Sequence, residues 1–307
     1  MRIVEVSADE YKEFFIRYPH VYNTVEFSEL NRNKAKSLRY LLFENSKVRF
    51  GLVLGERDET LLSPFSAPFG GFTANKTQCF EFVDEAFSAL KAYGGSINKR
   101  IVITLPPLFY DERQYSEHAN ALYRIGKMRS ADVNYHFLIS DFDDYDRSME
   151  RTAKNKLRQA MRENLVFRQV ECGDKDGIAR AYEVIRRNRE EQGYPLRMSY
   201  NDVMKTIKVI KADFFLLEHN GNDVAAAQIF HVTDDICQVI YWGDLREYSS
   251  LRPMNYLAFR IFEHYRKHGI KILDIGPSTE NSVPNYGLCA FKTGIGCRSS
   301  LKLSFEL

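Results

Sequence analysis

The sequence predicts an α+β protein built from two similar units, each a mixed, largely antiparallel sheet flanked by helices. Three observations lead there. The second half strings FFLLEHN, VAAAQIFHVT and ICQVIYWGD into an antiparallel meander, followed by one helix and a further strand instead of a doubly wound alternation. The first half runs through a less complete version of the same order, with no direct sequence repeat. At 307 residues the chain is long for one core, so two units are expected, residues 1–145 and 146–307.

The elements follow in order. SLRYLLFEN and KVRFGLVLGE alternate apolar and polar residues around Glu44–Asn45–Ser46 and read as a hairpin. LLSPFSAPFGGF then breaks into proline and glycine. Phe80, Val83, Phe87 and Leu90 recur at helical spacing, and Gly94–Gly95 reads as the end of that helix. KRIVITLPP is a buried strand stopped by prolines, and NYHFLISD is another. A helix is expected over roughly 147–164, a strand at VFRQVE, and helices at GIARAYEVIRRNREEQG and around Tyr200 to Lys211. Asn220–Gly221 is a hairpin turn between the first two meander strands. Met254, Leu257, Ala258, Ile261, Phe262 and Tyr265 share one helical face, with Pro253 at its first turn and Gly269 past its end. KILDIG and LKLSFEL close the chain as strands.

Composition narrows the function. Hydrophobic residues are 44% and charged residues 27%, as in a soluble globular protein, and 22 Phe and 18 Tyr against one Trp favour filled cores or an aromatic-lined groove. No apolar run approaches the ~20 residues of a membrane helix. The start, MRIVEVSADEYKEFF, lacks the apolar segment of a signal peptide, so the chain reads as cytoplasmic. Cys79, Cys172, Cys237, Cys289 and Cys297 are odd in number and form no C-x-x-C pair, which argues against a disulfide framework and a zinc site. The histidines, His231 and His264 among them, show no metal spacing, and no G-x-S-x-G or Walker loop is present. Residues 1–150 hold 19 basic and 22 acidic side chains, net −3, and residues 151–307 hold 24 and 19, net +5. That mild bias is compatible with an anionic ligand on the second half.

One stretch carries a chemical question. GLCAFKTGIGC, Gly287 to Cys297, sets a single lysine among small and apolar residues and reads as a strand edge or a tight buried loop. Burying an ammonium without a partner is expensive, so Lys292 calls for an anion, a reaction, or a snorkelling path to water.

Around that lysine the motifs assemble into a known order. Tyr241-Trp242-Gly243 ends a strand, Pro253-Met254-Asn255 starts a helix, Asp274-Ile275-Gly276 ends the next strand, and Phe291-Lys292-Thr293-Gly294-Ile295 follows. The set resembles the FemAB-like acyltransferases of the GNAT superfamily. SAPFGGF is similar to the family's early glycine-rich loop, IVITLPP to the strand after its first helix, and RTAKNKLRQAMRENLVF to its basic helix ahead of the second unit. The resemblance extends from about Leu38 to Leu301 and implies two GNAT-like units. The sequence also departs from the family. Ile295 replaces the usual aromatic, Met254 interrupts the P-N pair, and no inserted coiled coil of the kind some peptidoglycan-bridge enzymes carry is present. The pyrophosphate loop Q/R-x-x-G-x-G/A is missing, because Glu247 to Arg252 contains no glycine.

Acyl transfer to an amine needs a positioned carbonyl, a stabilised oxyanion and a proton acceptor. The resemblance implies that Lys292 sits near the transferred acyl group or the acceptor. Asp274, at a strand end, is a candidate general base, or a loop cap or partner of Lys292. Tyr286 is a candidate proton donor or donor-binding residue, or simply packs. Arg151, Lys154, Arg158 and Arg162, at i, i+3, i+7 and i+11, form one stripe at about 100° per residue. It suits phosphates of an acyl donor or a tRNA, or is a solvated face. Arg252 and Asn255 join them as donor-binding candidates. Tyr194 and Arg197 in GYPLRMS, Trp242, Phe291, and the N–H groups of Gly70 and Gly71 in the Pro68–Gly71 turn are substrate-binding candidates.

The resulting expectation is an N-acyltransferase acting on an amine of a bacterial cell-envelope precursor, glycan or small metabolite. Its donor would be acyl-CoA or aminoacyl-tRNA, with no tightly bound cofactor and no metal. A catalytically idle GNAT fold serving as a binding module is the alternative, and an RNA-binding protein a third reading, opposed by a net charge of only +2.

Overall fold

A computed structural model describes all residues, 1–307, and divides them into two compact units. Unit 1 comprises Met1–Val133, Thr279–Val283 and Ser300–Leu307, and unit 2 comprises Asn134–Ser278 and Pro284–Ser299. The division thus falls near residue 133 rather than 145, and the last strand, expected in the second unit, returns to the first.

Unit 1 contains strands β1 (Arg2–Val6), β2 (Leu38–Glu44), β3 (Val48–Arg57), β4 (Thr60–Ser63) and β5 (Arg100–Thr104), which lie side by side in that order. Neighbours are antiparallel except β4 and β5, and the C-terminal strand pairs antiparallel with β5, Phe305 opposite Ile103. Helices α1 (Ala8–Phe14) and α2 (Val25–Leu30) attend one apolar cluster, which includes Tyr11, Phe15 and Tyr40. Helices α3 (Phe80–Ser96) and α4 (Glu112–Ile125) attend the other, with Phe43, Leu52, Phe87, Leu122 and Phe305 buried together. A glycine is needed at position 51, where a Cβ would stand 2.4 Å from the Phe15 ring. Helix α3 does not stop at Gly94–Gly95 but runs through them to Ser96. Helix α4 went unpredicted because its segment, ERQYSEHANALYRI, is polar on most of its circumference and buries only Tyr115, His118, Ala121 and Leu122.

The Pro68–Gly71 turn also differs from expectation. Gly70 N donates to Thr104 O at 2.9 Å and Gly71 N to the Ser63 hydroxyl at 3.0 Å. Both glycines are buried, so these N–H groups hold the unit's own backbone and have none left for an anionic acceptor.

Strand β6 (Lys127–Leu138) leads into unit 2, followed by α5 (Tyr145–Ser148), α6 (Arg151–Ala160), β7 (Leu165–Gln169), α7 (Lys175–Gln192) and α8 (Tyr200–Thr206). The meander is β8 (Ala212–His219), β9 (Asn222–His231) and β10 (Ile236–Asp244), with Asn220 and Gly221 at φ 49° and 80° in the turn between the first two. Then come α9 (Pro253–Lys267), β11 (Ile272–Pro277), the short strands β12 (Thr279–Glu280) and β13 (Val283–Pro284), α10 (Tyr286–Gly294) and finally β14 (Arg298–Glu306). The strands of unit 2 are ordered β6-β11-β10-β9-β8-β7. All neighbours are antiparallel but β10 and β11, which are parallel. Helix α9 buries the predicted face from Leu257 to Tyr265, with Met254 only partly covered, and its Phe262 stacks on Phe137 of β6 with ring centroids 3.9 Å apart. The single helix expected over 147–164 is interrupted at Met149–Glu150 and ends at Ala160. GLCAFKTG is neither strand nor loop. It is most of α10, capped by Asn285, whose side chain accepts from Leu288 N at 3.1 Å.

Candidate active site

The two parallel strands of unit 2 stay together for only three rungs. Ile236, Cys237 and Gln238 of β10 face Ile272, Leu273 and Asp274 of β11, and no pairing continues beyond them. At that point both strands are irregular: β10 shifts register against β9 between Val239 and Tyr241, and β11 against β6 between Asp274 and Gly276. Bulges bend and twist the strands that carry them, so the pair parts there.

A cavity of about 560 Å³ opens where they part. The residues from Val239 to Asp244 form one wall, and Ile275, Gly276 and Pro277 the other. Asn188 and Arg189 of α7, Met254 at the start of α9, and Asn285, Phe291 and Lys292 at α10 complete it. Strands that separate leave backbone donors and acceptors unpaired along their facing edges, so the walls can hydrogen-bond an extended ligand.

Asp274 pins the last rung. Its fully buried carboxylate accepts from Asn134 Nδ2 at 2.7 Å, Gln238 Nε2 at 2.6 Å and Gly276 N at 2.8 Å. Side chains from β6 and β10 therefore converge on β11 at the parting point. This corrects the general-base expectation: Asp274 does not line the cavity, and its oxygens are engaged by the scaffold.

Lys292 lines the cavity and is 4% exposed. Its Nζ donates to the carbonyls of Gly276 at 2.8 Å and Pro277 at 3.0 Å, and lies 5.6 Å from the centre of the Tyr135 ring. An ammonium has three protons, so one remains for a ligand. Burial brings its pKa down to about 8, opposed by Cys297 and Asp274. It is neither snorkelling nor salt-bridged; two backbone carbonyls hold it beside the Tyr135 ring.

Of the remaining predicted residues, Trp242, Phe291 and Tyr194 also reach the cavity. Trp242 and Phe291 meet edge to face at 6.0 Å, and the Tyr194 hydroxyl accepts from Asn285 Nδ2 at 2.9 Å. Tyr286 is 80% exposed and Arg197 is exposed, both outside the lining. The basic stripe is shorter than expected, because Arg162 lies beyond the end of α6 and Lys154 and Arg158 both reach Asp146. Arg151 is exposed on the first turn of α6. Arg252 takes φ 58° just before α9, and its Nε donates to Gln159 of α6 at 3.4 Å. Asn255 is buried in the first turn of α9.

Three further residues line the cavity: Asp244 and Asn188, which the sequence reading did not single out, and Arg189, which with Arg186 and Arg187 reads from sequence as surface and instead faces the cavity. Asp244, the last residue of ICQVIYWGD, has its carboxyl pushed up to about 6, by burial first and by Glu191 second. Asn188 donates to Asp244 O at 2.7 Å and packs so closely on Gly243 that a Cβ there would stand 2.3 Å away. Arg189 has its guanidinium 5.1 Å from the Tyr241 ring centre and 5.8 Å from that of Tyr194. For Asn188 a signal was present: Ala181, Ile185, Asn188 and Gln192 continue one face of α7 into polar residues. No group of three His, Cys, Asp or Glu side chains is placed to hold a metal ion, and no helix is long and apolar enough to cross a membrane.

Comparison with known proteins bears on the fold that carries this split sheet and its buried cation. A family model described as an acetyltransferase (GNAT) domain matches residues 147–292. The fold is similar to that of FemX (13% identity, 100% of this chain and 97% of that one, TM-score 0.69). It is also similar to L-PGS from Bacillus licheniformis (11%, 98% and 92%, TM-score 0.61) and to a tandem GNAT protein from the clavulanic acid biosynthesis pathway (12%, 100% and 98%, TM-score 0.56). A search of curated proteins finds no match. Residues 147–292 thus carry the match to a GNAT acetyltransferase domain, and the whole chain shares its fold with FemX and a tandem GNAT protein.

Proposed function

We propose that the protein transfers an acyl group from a thioester donor of the acyl-CoA type to an amine of a small metabolite, glycan or cell-envelope precursor. The cavity at the parting of β10 and β11, with the Lys292 ammonium held at its edge, carries this reading. The donor's amide-bearing chain lies along the unpaired strand edges, and its carbonyl oxygen faces Lys292. The amine nitrogen attacks the carbonyl carbon; the new C–N bond forms as the oxyanion gathers charge beside the third ammonium proton. Collapse breaks the C–S bond and releases the thiolate. Asp244, raised towards neutrality, takes the amine proton and returns it to the thiolate or to water.

Asp274 serves this scheme as a positioning residue: it fixes Gly276, whose carbonyl holds Lys292. An aminoacyl-tRNA donor is less well supported, since Asp146 neutralises part of the basic stripe that would meet phosphates. Calorimetry with acetyl-CoA tests the donor, and turnover of Lys292→Ala tests the site. The variant is expected to bind acetyl-CoA and to lose about 10²- to 10³-fold in kcat, the usual effect of removing one oxyanion contact. Unchanged turnover would remove Lys292 from the chemistry. A wild type that binds acetyl-CoA without turning it over on any amine would favour a binding module.

A further inference from the structure

The arginines of α7 differ in one respect. Arg180 pairs with Glu218 and Asp223, Arg186 with Glu183 and Glu190, and Arg187 with Glu247. Arg189 alone among these four faces the cavity, and no carboxylate of the chain lies within ion-pairing distance of it. Its Nε is buried with no hydrogen-bond partner. A guanidinium partly withdrawn from water, with its Nε buried and unpaired, is costly, and such a group in a cavity wall is explained by a ligand that completes it. Tyr241 and Tyr194 fix its position through their rings, which leaves the planar fork of donors free at its edge.

The ligand's chemistry follows from what the fork fits and from the cavity's other charges. A guanidinium binds a carboxylate through two parallel hydrogen bonds. The other ionisable side chains of the lining are Lys292 and Asp244, together with the Tyr194 and Tyr241 phenols, so at neutral pH the cavity holds two cations and one carboxylate. That balance suits a singly charged anion better than a pyrophosphate.

We infer that the acyl acceptor is an amine that also carries a carboxylate, and that Arg189 selects it by binding that carboxylate. This rests on the acyl-transfer reading and adds the acceptor's class to it. The amine end is then directed at the donor carbonyl while the anionic end is held on α7. Arg189 acts in specificity, not in the bond-making step.

A matched pair of probes tests it: 5-aminopentanoate and pentylamine, the same primary amine with and without a carboxylate. The chain's single tryptophan, Trp242, lines the same cavity and reports binding by its fluorescence without any need for turnover. Wild type is expected to bind 5-aminopentanoate about 10- to 100-fold more tightly than pentylamine, as a charged hydrogen-bonded pair predicts. Arg189→Met is expected to lose that preference while keeping its affinity for pentylamine and for acetyl-CoA. Arg189→Lys, which keeps the charge but not the fork, should retain a part of it. In turnover with acetyl-CoA the same ratio should appear in KM more than in kcat. Equal binding of the two probes by wild type, or a preference surviving in Arg189→Met, overturns the proposal. Arg189-dependent binding without turnover would leave the carboxylate subsite standing and count against acyl transfer from this donor.

Discussion

In the proposed reaction Asp244 and Lys292 have opposite proton requirements, and burial moves the carboxyl up to about 6 and the ammonium down to about 8. A base must be unprotonated to act, so kcat/KM should rise as pH climbs through about 6, where Asp244 ionises. The oxyanion contact must be protonated, so activity should fall as pH passes about 8, where Lys292 loses its proton. A bell-shaped profile measured with an acceptor of low amine pKa is expected, and Asp244→Asn should abolish its acidic limb with a loss of about 10²- to 10⁴-fold. An acidic limb that persists in that variant would exclude Asp244 as its source. At this scale the sequence singled out the lysine that lines the cavity, and chose as candidate base a carboxylate that does not line it. Asp274 and Asp244 both end apolar strands, and nothing local distinguishes them. Only the pairing of β10 with β11 shows that one is consumed by Asn134, Gln238 and Gly276 while the other faces the cavity.

Elements explain why the cavity exists. Three strands, β6, β11 and β10, are tied through Asp274 at the rung where two of them part. Replacing Asp274 by Ala removes an acceptor from each of Asn134 Nδ2, Gln238 Nε2 and the Gly276 N–H in this buried rung. The cost should be about 3–5 kcal/mol, seen in denaturant unfolding as a lower midpoint with an unchanged slope. Asp274→Asn, which keeps the shape and one acceptor oxygen, should cost less. A stability loss below ~1 kcal/mol in the alanine variant would mean that the rung is held by the backbone alone. Strands and the α9 helix were legible from periodicity and from turn and capping residues. Helix α10 was not, because two glycines and a run of small residues conceal a helix that Asn285 starts. The pair of bulges was invisible too, since a register shift depends on the neighbouring strand and leaves no mark in the local pattern.

For the chain as a whole, the two-unit organisation follows from length and element order, but its division does not. LKLSFEL reads as the closing strand of the half in which it lies. Its destination is set instead by a partner about 200 positions earlier: Thr104 faces Ser304, and their hydroxyls meet at 3.0 Å. Non-local pairing of that kind carries no local sequence signal. Phe305 is the residue that makes the assignment energetic, for it is fully buried in the cluster that contains Leu41, Phe87 and Ile103. Truncating it should leave a cavity in unit 1 that the surrounding rings of α3 and β5 fill only partly. Phe305→Ala is therefore expected to destabilise unit 1 by about 3–5 kcal/mol. Hydrogen exchange should show the loss in the central amides of β2, β3 and β5, whose protection reports the opening of that core. If those amides kept their protection, the C-terminal strand would be a covering layer and the core of unit 1 would be complete without it. If they exchanged faster in step with the lost stability, Phe305 would be part of the folding core built by the first hundred residues.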